Sequence, residues 1–309
     1  MSDNIKTTTP VQQNASVGSV AYALLQNMRP KQWAKNGFVF MAILFDQKLF
    51  DADWFLRVLA TFALMCLTAS AVYIVNDIVD VEKDRQHPKK KFRPIASRRL
   101  PVNVAIIAAI VFFVGAVLGS LLIDVKLTLV ILGYIALHVG YSFIFKNIVI
   151  IDVFAIAGGF VLRVLAGAVV IEVAQFSPWL YMCAALLSLF LAVGKRRQEY
   201  ILMGDKAETT RSILKEYNLN LINDMLRLTI TTTAIAYTLY ATEAETALIS
   251  REYMLLTVPF VYYGLFRYLY LIYVKEHGGD PTEILFEDRN LQITIGLWGI
   301  LLILLFYVV

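Results

Sequence analysis

Apolar runs, each close to the roughly 20 residues that cross a bilayer, alternate with polar segments along most of the chain. Nine runs are predicted as helices, at 36–50, 54–76, 102–123, 127–145, 149–171, 178–194, 222–241, 254–273 and 291–309. The first is short and is predicted to extend backward through an interfacial segment containing Trp33. Long polar connections alternate with very short ones such as Asp124-Val125-Lys126. No Pro/Ser-rich linker divides the pattern, so residues 21–309 read as one domain of an all-α integral membrane fold. Residues 1–20, rich in Ser, Thr, Asn and Gln, read as a disordered polar lead-in. No basic stretch runs into an apolar one there, so no cleavable signal peptide is expected.

Composition strengthens that reading. The 309 residues are 59% hydrophobic and 17% charged, with mean hydropathy +0.65, against about 45–50% and 25% in soluble domains. The lipid bilayer is the solvent that suits such a surplus, which excludes a soluble enzyme, a disulfide scaffold and a nucleic-acid-binding domain. Cys66 and Cys183 both lie inside apolar runs and read as small core hydrophobes without metal spacing. Net charge is only +4, so placement matters more than the sum. With the N-terminus inside, 21 of the 28 Lys and Arg residues fall on the cytoplasmic side of the nine predicted spans and four outside. Nine spans then put the C-terminus outside and every long charged loop on the cytoplasmic face.

At the end of the second run stand Asn76, Asp77, Asp80 and Asp84. The three aspartates are spaced i, i+3, i+7 and share one face if the helix continues. Carboxylates on one stripe repel unless cations neutralise them, and Mg²⁺ takes oxygen ligands while keeping places for phosphate. Asn76 flanks that face. An acidic, solvated helix end is the plainer alternative, but charge where an apolar span ends is costly unless it is used. The dense basic run His87 to Arg99 follows at once. Acidic and basic groups in one loop suit a metal-bridged polyphosphate, with Lys91 and Arg93 holding phosphate oxygens and Lys89, Lys90, Arg98 and Arg99 left to the surface.

Tyr141 and Lys146 close the fourth run, and Asp152 opens the next after a tight turn. Lys146 reads as a phosphate ligand or a snorkelling interfacial lysine. Asp152 suits the positive end of its helix whether or not it has a further role. Arg163 lies mid-span, where arginine almost always faces a polar interior; either it meets substrate or it pairs with a residue such as Glu172. His138 reads as a packed, hydrogen-bonded histidine.

The Asn-Asp-x-x-Asp-x-x-x-Asp spacing from Asn76 to Asp84, followed by Arg93-Pro94-Ile95-Ala96-Ser97, resembles the first signature of the UbiA-type membrane prenyltransferase superfamily. Further segments resemble its polyprenyl-phosphate phosphoribosyltransferase branch. These are Arg29-Pro30-Lys31-Gln32-Trp33-Ala34-Lys35-Asn36, Asp152 through Arg163, Lys195-Arg196 with Glu199, and Asp288 to Gln292. The resemblance implies nine transmembrane helices around a central cavity with the active site facing the cytoplasm. It also implies Mg²⁺, a phosphoribosyl pyrophosphate donor and a polyprenyl (decaprenyl) phosphate acceptor, for cell-wall arabinan precursors at the plasma (inner) membrane. Lys35, Tyr141, Lys195, Arg196 and Glu199 join the expected substrate-binding residues on that basis.

The chain departs from the wider superfamily in one loop. Aromatic prenyltransferases usually carry a second acidic motif after the sixth span, whereas Gly194-Lys195-Arg196-Arg197-Gln198-Glu199-Tyr200 is basic, with only Glu199 and Asp205 as acidic stand-ins. Two separately phosphorylated substrates need extra cations from the protein, so the swap favours phosphoribosyl transfer. The alternatives are an aromatic or quinone prenyltransferase and a transporter. A transporter should gather its ionisable groups near the bilayer midplane, but here they gather at the cytoplasmic ends of the predicted spans. The expected catalytic set is Asp77, Asp80, Asp84 and Lys146, with Asn76 and the three aspartates as metal ligands. The sequence leaves room for a homo-oligomer without setting a copy number.

Overall fold

Aspartates start several of the long helices. Asp51 accepts from the Asp53 and Trp54 amides at 3.0 and 3.3 Å, Asp124 from the Lys126 amide, and Asp288 from the Leu291 amide at 2.8 Å. Each satisfies amides that a first turn otherwise leaves unpaired. A computed structural model describes residues 17–173, 177–203, 212–243, 251–275 and 281–308. The described chain is helical throughout its regular structure. In order come α1 (Val17–Met28), a 3₁₀ helix (Pro30–Val39), α2 (Phe40–Phe45), α3 (Ala52–Val79), α4 (Val81–Gln86), α5 (Val102–Leu121), α6 (Val125–Phe143) and α7 (Ile151–Val170). Then follow α8 (Pro178–Met203), α9 (Leu219–Glu243), a short turn at Arg251–Met254, α10 (Val258–Tyr273), α11 (Pro281–Glu287) and α12 (Arg289–Tyr307).

Among the described residues, seven helices are long and apolar enough to span a membrane: Ala52–Val79, Val102–Leu121, Val125–Phe143, Ile151–Val170, Pro178–Ile201, Leu255–Tyr273 and Arg289–Tyr307. The predicted run at 222–241 forms α9, a full-length helix that is Thr-rich and outside those seven. The predicted run at 36–50 does not form one continuous helix. Its first part belongs to the 3₁₀ helix, α2 is only 6 residues long, and the chain turns at Asp46 and Gln47. A 3₁₀ stretch of 10 residues is unusual, and here tertiary packing holds it. Helix α1 begins at Val17, four residues inside the segment expected to lead in without structure.

That 3₁₀ helix is wedged against α7. A Cβ at Gly167 would lie 2.0 Å from the Val39 carbonyl oxygen, so only glycine lets the two backbones meet. Val39, Ile43, Met65, Ile131, Tyr134 and Ile171 pack together around this contact. A second core joins α7, α8, α9, α10 and α12 through Val153, Phe190, Ile222, Leu226, Leu271 and Leu291. On the periphery, α5 exposes Ile107, Ile110, Val111, Val114 and Leu118, an apolar face suited to lipid. A third core of Ala23, Ile74, Ile95, Leu100 and Ala105 pins α1 and the 93–100 loop to α3 and α5. This last cluster positions the acidic end of α3.

Candidate active site

The aspartate stripe does not continue as one helix. Helix α3 ends at Val79, Asp80 takes a non-helical conformation (φ −94°, ψ 8°), and α4 restarts at Val81. The break leaves Asp77 and Asp84 converging on one cation. Arg93 Nη1 donates to Asp77 Oδ1 at 3.0 Å and to Asp84 Oδ2 at 2.7 Å, and both carboxylates are almost fully buried. Asp77 Oδ1 also accepts from Arg29 Nη2 at 2.5 Å. Asp80, more open, accepts from Lys146 Nζ at 2.9 Å. Between them Arg29, Arg93 and Lys146 pair all three aspartates. They arrive from three separate places: the α1–3₁₀ junction, the loop after α4, and the turn after α6.

Arg29 was not among the residues expected to act. The signal for it was the Arg29-Pro30-Lys31-Gln32-Trp33 run, read only as a resemblance. Its backbone is left-handed (φ 54°, ψ 63°), a conformation that a non-glycine residue adopts at a cost. Stacking of its guanidinium on the Tyr73 ring, 4.9 Å from the centroid, and the Asp77 pair hold it there. A cleft of about 270 Å³ opens beside this cluster, lined by Asn27, Arg29, Asp77, Lys89, Phe92 and Arg93. Lys89, expected at the surface only, therefore borders the site.

A hard divalent cation requires oxygen donors. Asp77 and Asp84 supply them from a buried setting, and both face the shared Arg93 guanidinium, so the pair suits such an ion. The wider expected ligand set is not gathered. Asn76 is turned to α6, where its Oδ1 accepts from Ser142, and Asp80 is taken by Lys146. No group of three or more His, Cys, Asp or Glu side chains converges on one metal position among the described residues.

The other expected site residues divide into three groups. Lys91 is exposed and lies over the Phe92 ring, while Lys35, Tyr141 and Lys195 are half-buried. Arg196, Asp152 and Glu199 form a second, separate network. The Arg196 guanidinium, 2% exposed, pairs with both carboxylates, and Asp152 Oδ1 accepts from the Tyr217 hydroxyl at 2.7 Å. The Tyr217 hydroxyl in turn accepts from the Ile150 amide at 2.8 Å. Burial and the Asp152 contact push the Tyr217 phenol up to about 12. This network ties the start of α7 to the end of α8. Asp205, in the same expected loop, lies outside the described residues.

Arg163 makes the third group, and its expected partner is corrected. Glu172 is exposed beyond the end of α7, and Arg163 instead donates to Asn36 Oδ1 at 2.7 Å, the Gly159 carbonyl at 2.8 Å and the Tyr134 hydroxyl at 2.6 Å. Its partners are neutral, and its guanidinium lies over the Tyr134 and Phe160 rings. Depth explains the choice: a mid-helix arginine finds the polar groups of facing helices before any carboxylate at a helix end. His138 packs where a Cβ on Gly159 would meet its Nε2 at 2.7 Å.

The geometry thus offers an acidic break saturated with arginine and lysine, opening on a polar cleft at one end of apolar helices. Comparison with known proteins agrees with it. The model of the UbiA prenyltransferase family matches residues 37–286. Decaprenyl-phosphate phosphoribosyltransferase from Corynebacterium glutamicum is 34% identical, over 94% of this chain and 88% of its own. The enzyme of the same name from Mycobacterium tuberculosis is 30% identical over 96% of both chains. The UbiA homolog from Archaeoglobus fulgidus, solved bound to DMAPP and Mg²⁺, superposes with a TM-score of 0.70, covering 93% of this chain and all of its own at 18% identity. A match over most of the chain, together with full-length relatives and a shared helical fold, establishes that this protein belongs to the UbiA prenyltransferase family.

Proposed function

We propose that this protein transfers the 5-phosphoribosyl group of phosphoribosyl pyrophosphate to a polyprenyl phosphate of the decaprenyl class. Pyrophosphate is the leaving product. The observation that carries the reading is the convergence of Arg29, Arg93 and Lys146 on the acidic break. Three phosphorylated groups meet in this reaction: the pyrophosphate, the ribose 5-phosphate and the lipid phosphate. A prenyl diphosphate enzyme acting on a neutral ring would have only one to hold. Full-length relatives named for this activity support the choice.

In the reaction a lipid phosphate oxygen attacks C1 of the ribose. The C1–O bond to pyrophosphate breaks, and its electron pair leaves with the pyrophosphate. The nucleophile is already ionised near neutral pH, so no general base is needed; His138 packs half-buried against Gly159 and Tyr134, in keeping with that. Arg29, Arg93 and Lys146 donate to phosphate oxygens, guanidinium forks suiting them bidentately. Asp77 and Asp84 would hold Mg²⁺, with Asp80 beside them, as the Mg²⁺-bound archaeal structure of the same fold encourages. When bound, the ion neutralises charge building on the leaving oxygens, the kind of term that usually dominates catalysis.

The loops bearing these cations face the cytoplasm of the plasma membrane in this reading, and the product feeds cell-wall synthesis. Membranes containing the protein, incubated with radiolabelled phosphoribosyl pyrophosphate and a polyprenyl phosphate, should yield a labelled lipid. Transfer from a prenyl diphosphate to an aromatic acid, with none from the sugar donor, would overturn the proposal.

A further inference from the structure

Asn27 lies in the last turn of α1 and is 1% exposed, yet neither its Nδ2 nor its Oδ1 has a hydrogen-bond partner among the described residues. A buried amide left unpaired destabilises a fold, so a leucine of similar shape would serve the apo protein better. What could pair it is set by its surroundings. It lines the cleft beside the acidic break together with Arg29, Lys89 and Arg93. Phosphate oxygens only accept hydrogen bonds, and those three side chains already supply donors for them. A carboxamide differs in offering one donor group and one acceptor at the same tip. That pairing matches a hydroxyl, which also does both.

We propose that Asn27 binds a ribosyl hydroxyl of the donor and so selects a ribosyl over a deoxyribosyl substrate. The inference rests on the phosphoribosyl-transfer reading, since the ring hydroxyls at C2 and C3 are the only groups of that donor which both give and accept hydrogen bonds. A site that hydrogen-bonds a substrate hydroxyl discriminates strongly against an analogue lacking it, because its own polar groups are then left unpaired. The rest of the donor is anionic and falls to Arg29, Lys89 and Arg93. Asn27 thus recognises the neutral part of the sugar.

The test is competition against phosphoribosyl pyrophosphate on the purified full-length chain, with four probes: ribose 5-phosphate, its 2-deoxy and 3-deoxy analogues, and inorganic pyrophosphate. In the wild type, at least one deoxy probe should compete about 10-fold more weakly than ribose 5-phosphate. Asn27→Leu should erase that difference, leave pyrophosphate competition within about twofold, and hold or raise the melting temperature. Asn27→Asp, which keeps an acceptor and loses the donor, should fall between the two and serves if the leucine variant is not recovered. Discrimination by Asn27→Leu equal to wild type against both deoxy probes overturns the inference. So does a lowered melting temperature with equal loss of pyrophosphate competition, which is the mark of a merely structural residue. A wild type that makes labelled lipid but shows no preference for ribose 5-phosphate sinks this inference alone; one that makes no labelled lipid from the sugar donor removes the parent reading as well.

Discussion

Lys146 Nζ donates to Asp80 Oδ1 at 2.9 Å, joining the turn after α6 to the break between α3 and α4. The lysine side chain is 16% exposed and the aspartate 32%, so the pair is open enough to exchange for a ligand. A group poised in this way holds its position while remaining available to a phosphate. Lys146→Ala should therefore lower kcat/KM at least ~100-fold, about 2.7 kcal/mol of transition-state stabilisation. Measured against Asp80→Ala and the double variant, the effects should be well short of additive. Simple additivity would mean the two act separately.

Asp77 and Asp84 meet at one Arg93 nitrogen, and loss of either charge disturbs both its neighbour and any bound metal. Asp77→Asn and Asp84→Asn should each reduce turnover by orders of magnitude while the protein still folds in membranes. Chelation of divalent cations should stop the wild type, and Mg²⁺ or Mn²⁺ should restore it. Retention of more than about a tenth of activity in both variants, worth only ~1.4 kcal/mol, would remove this pair from the metal site.

For Arg196 the expected defect is in folding as much as in turnover. Its guanidinium is sealed between Asp152 and Glu199, and removing it strips the buried Asp152 carboxylate of this counter-charge. Breaking such a pair typically costs about 3–5 kcal/mol. Arg196→Ala should lower both kcat/KM and the melting temperature in detergent, whereas Lys146→Ala should lower only the former. A thermally unaltered, inactive Arg196→Ala would place the residue on the substrate instead.

The Val39 carbonyl, 2.0 Å from where a Cβ of Gly167 would stand, is backbone and cannot swing aside. Gly167→Ala should push the 3₁₀ helix off α7 and sharply reduce the yield of folded protein in membranes, by a strain cost on the scale of core overpacking, about 1–3 kcal/mol or more. Gly133→Ala, where a Cβ meets nothing within 4 Å, is the matched control and should fold normally.

His87 supplies a pH dependence. Its Nδ1 accepts from the Lys89 and Lys90 amides, both at 3.2 Å, and so needs to be unprotonated. Burial first, and then the positive charge of Lys90, hold the imidazole below its usual value of 6.5. With the folded value depressed, the loop is fully stabilised above about pH 6.5 and loses that contribution as pH falls below it. Hydrogen exchange of the Lys89 and Lys90 amides, corrected for its intrinsic pH dependence, should quicken on acidification in the wild type. In His87→Asn, whose acceptor does not titrate, it should not. An identical pH profile in the two would dismiss the imidazole as the cause.

The membrane fold was legible in the chain because the bilayer imposes length and apolarity on each segment independently of its neighbours. Among the described residues, seven of the predicted runs appear as helices fit to span a membrane, and the acidic motif begins at the end of one of them. The aspartates, Arg93 and Lys146 could be singled out because charge at a span's end is costly and so conspicuous. Tertiary structure alone decided the pairings, since residues distant in sequence meet only when helices pack. It brought Arg29 to Asp77 across 48 positions, closed Arg196 onto Asp152, and gave Arg163 the neutral partners Asn36 and Tyr134 in place of Glu172. It also broke the predicted aspartate stripe at Asp80 and folded residues 36–45 into 3₁₀ and short α turns against Gly167. Helical periodicity reports one helix's faces, not where that helix stops or what comes to meet it.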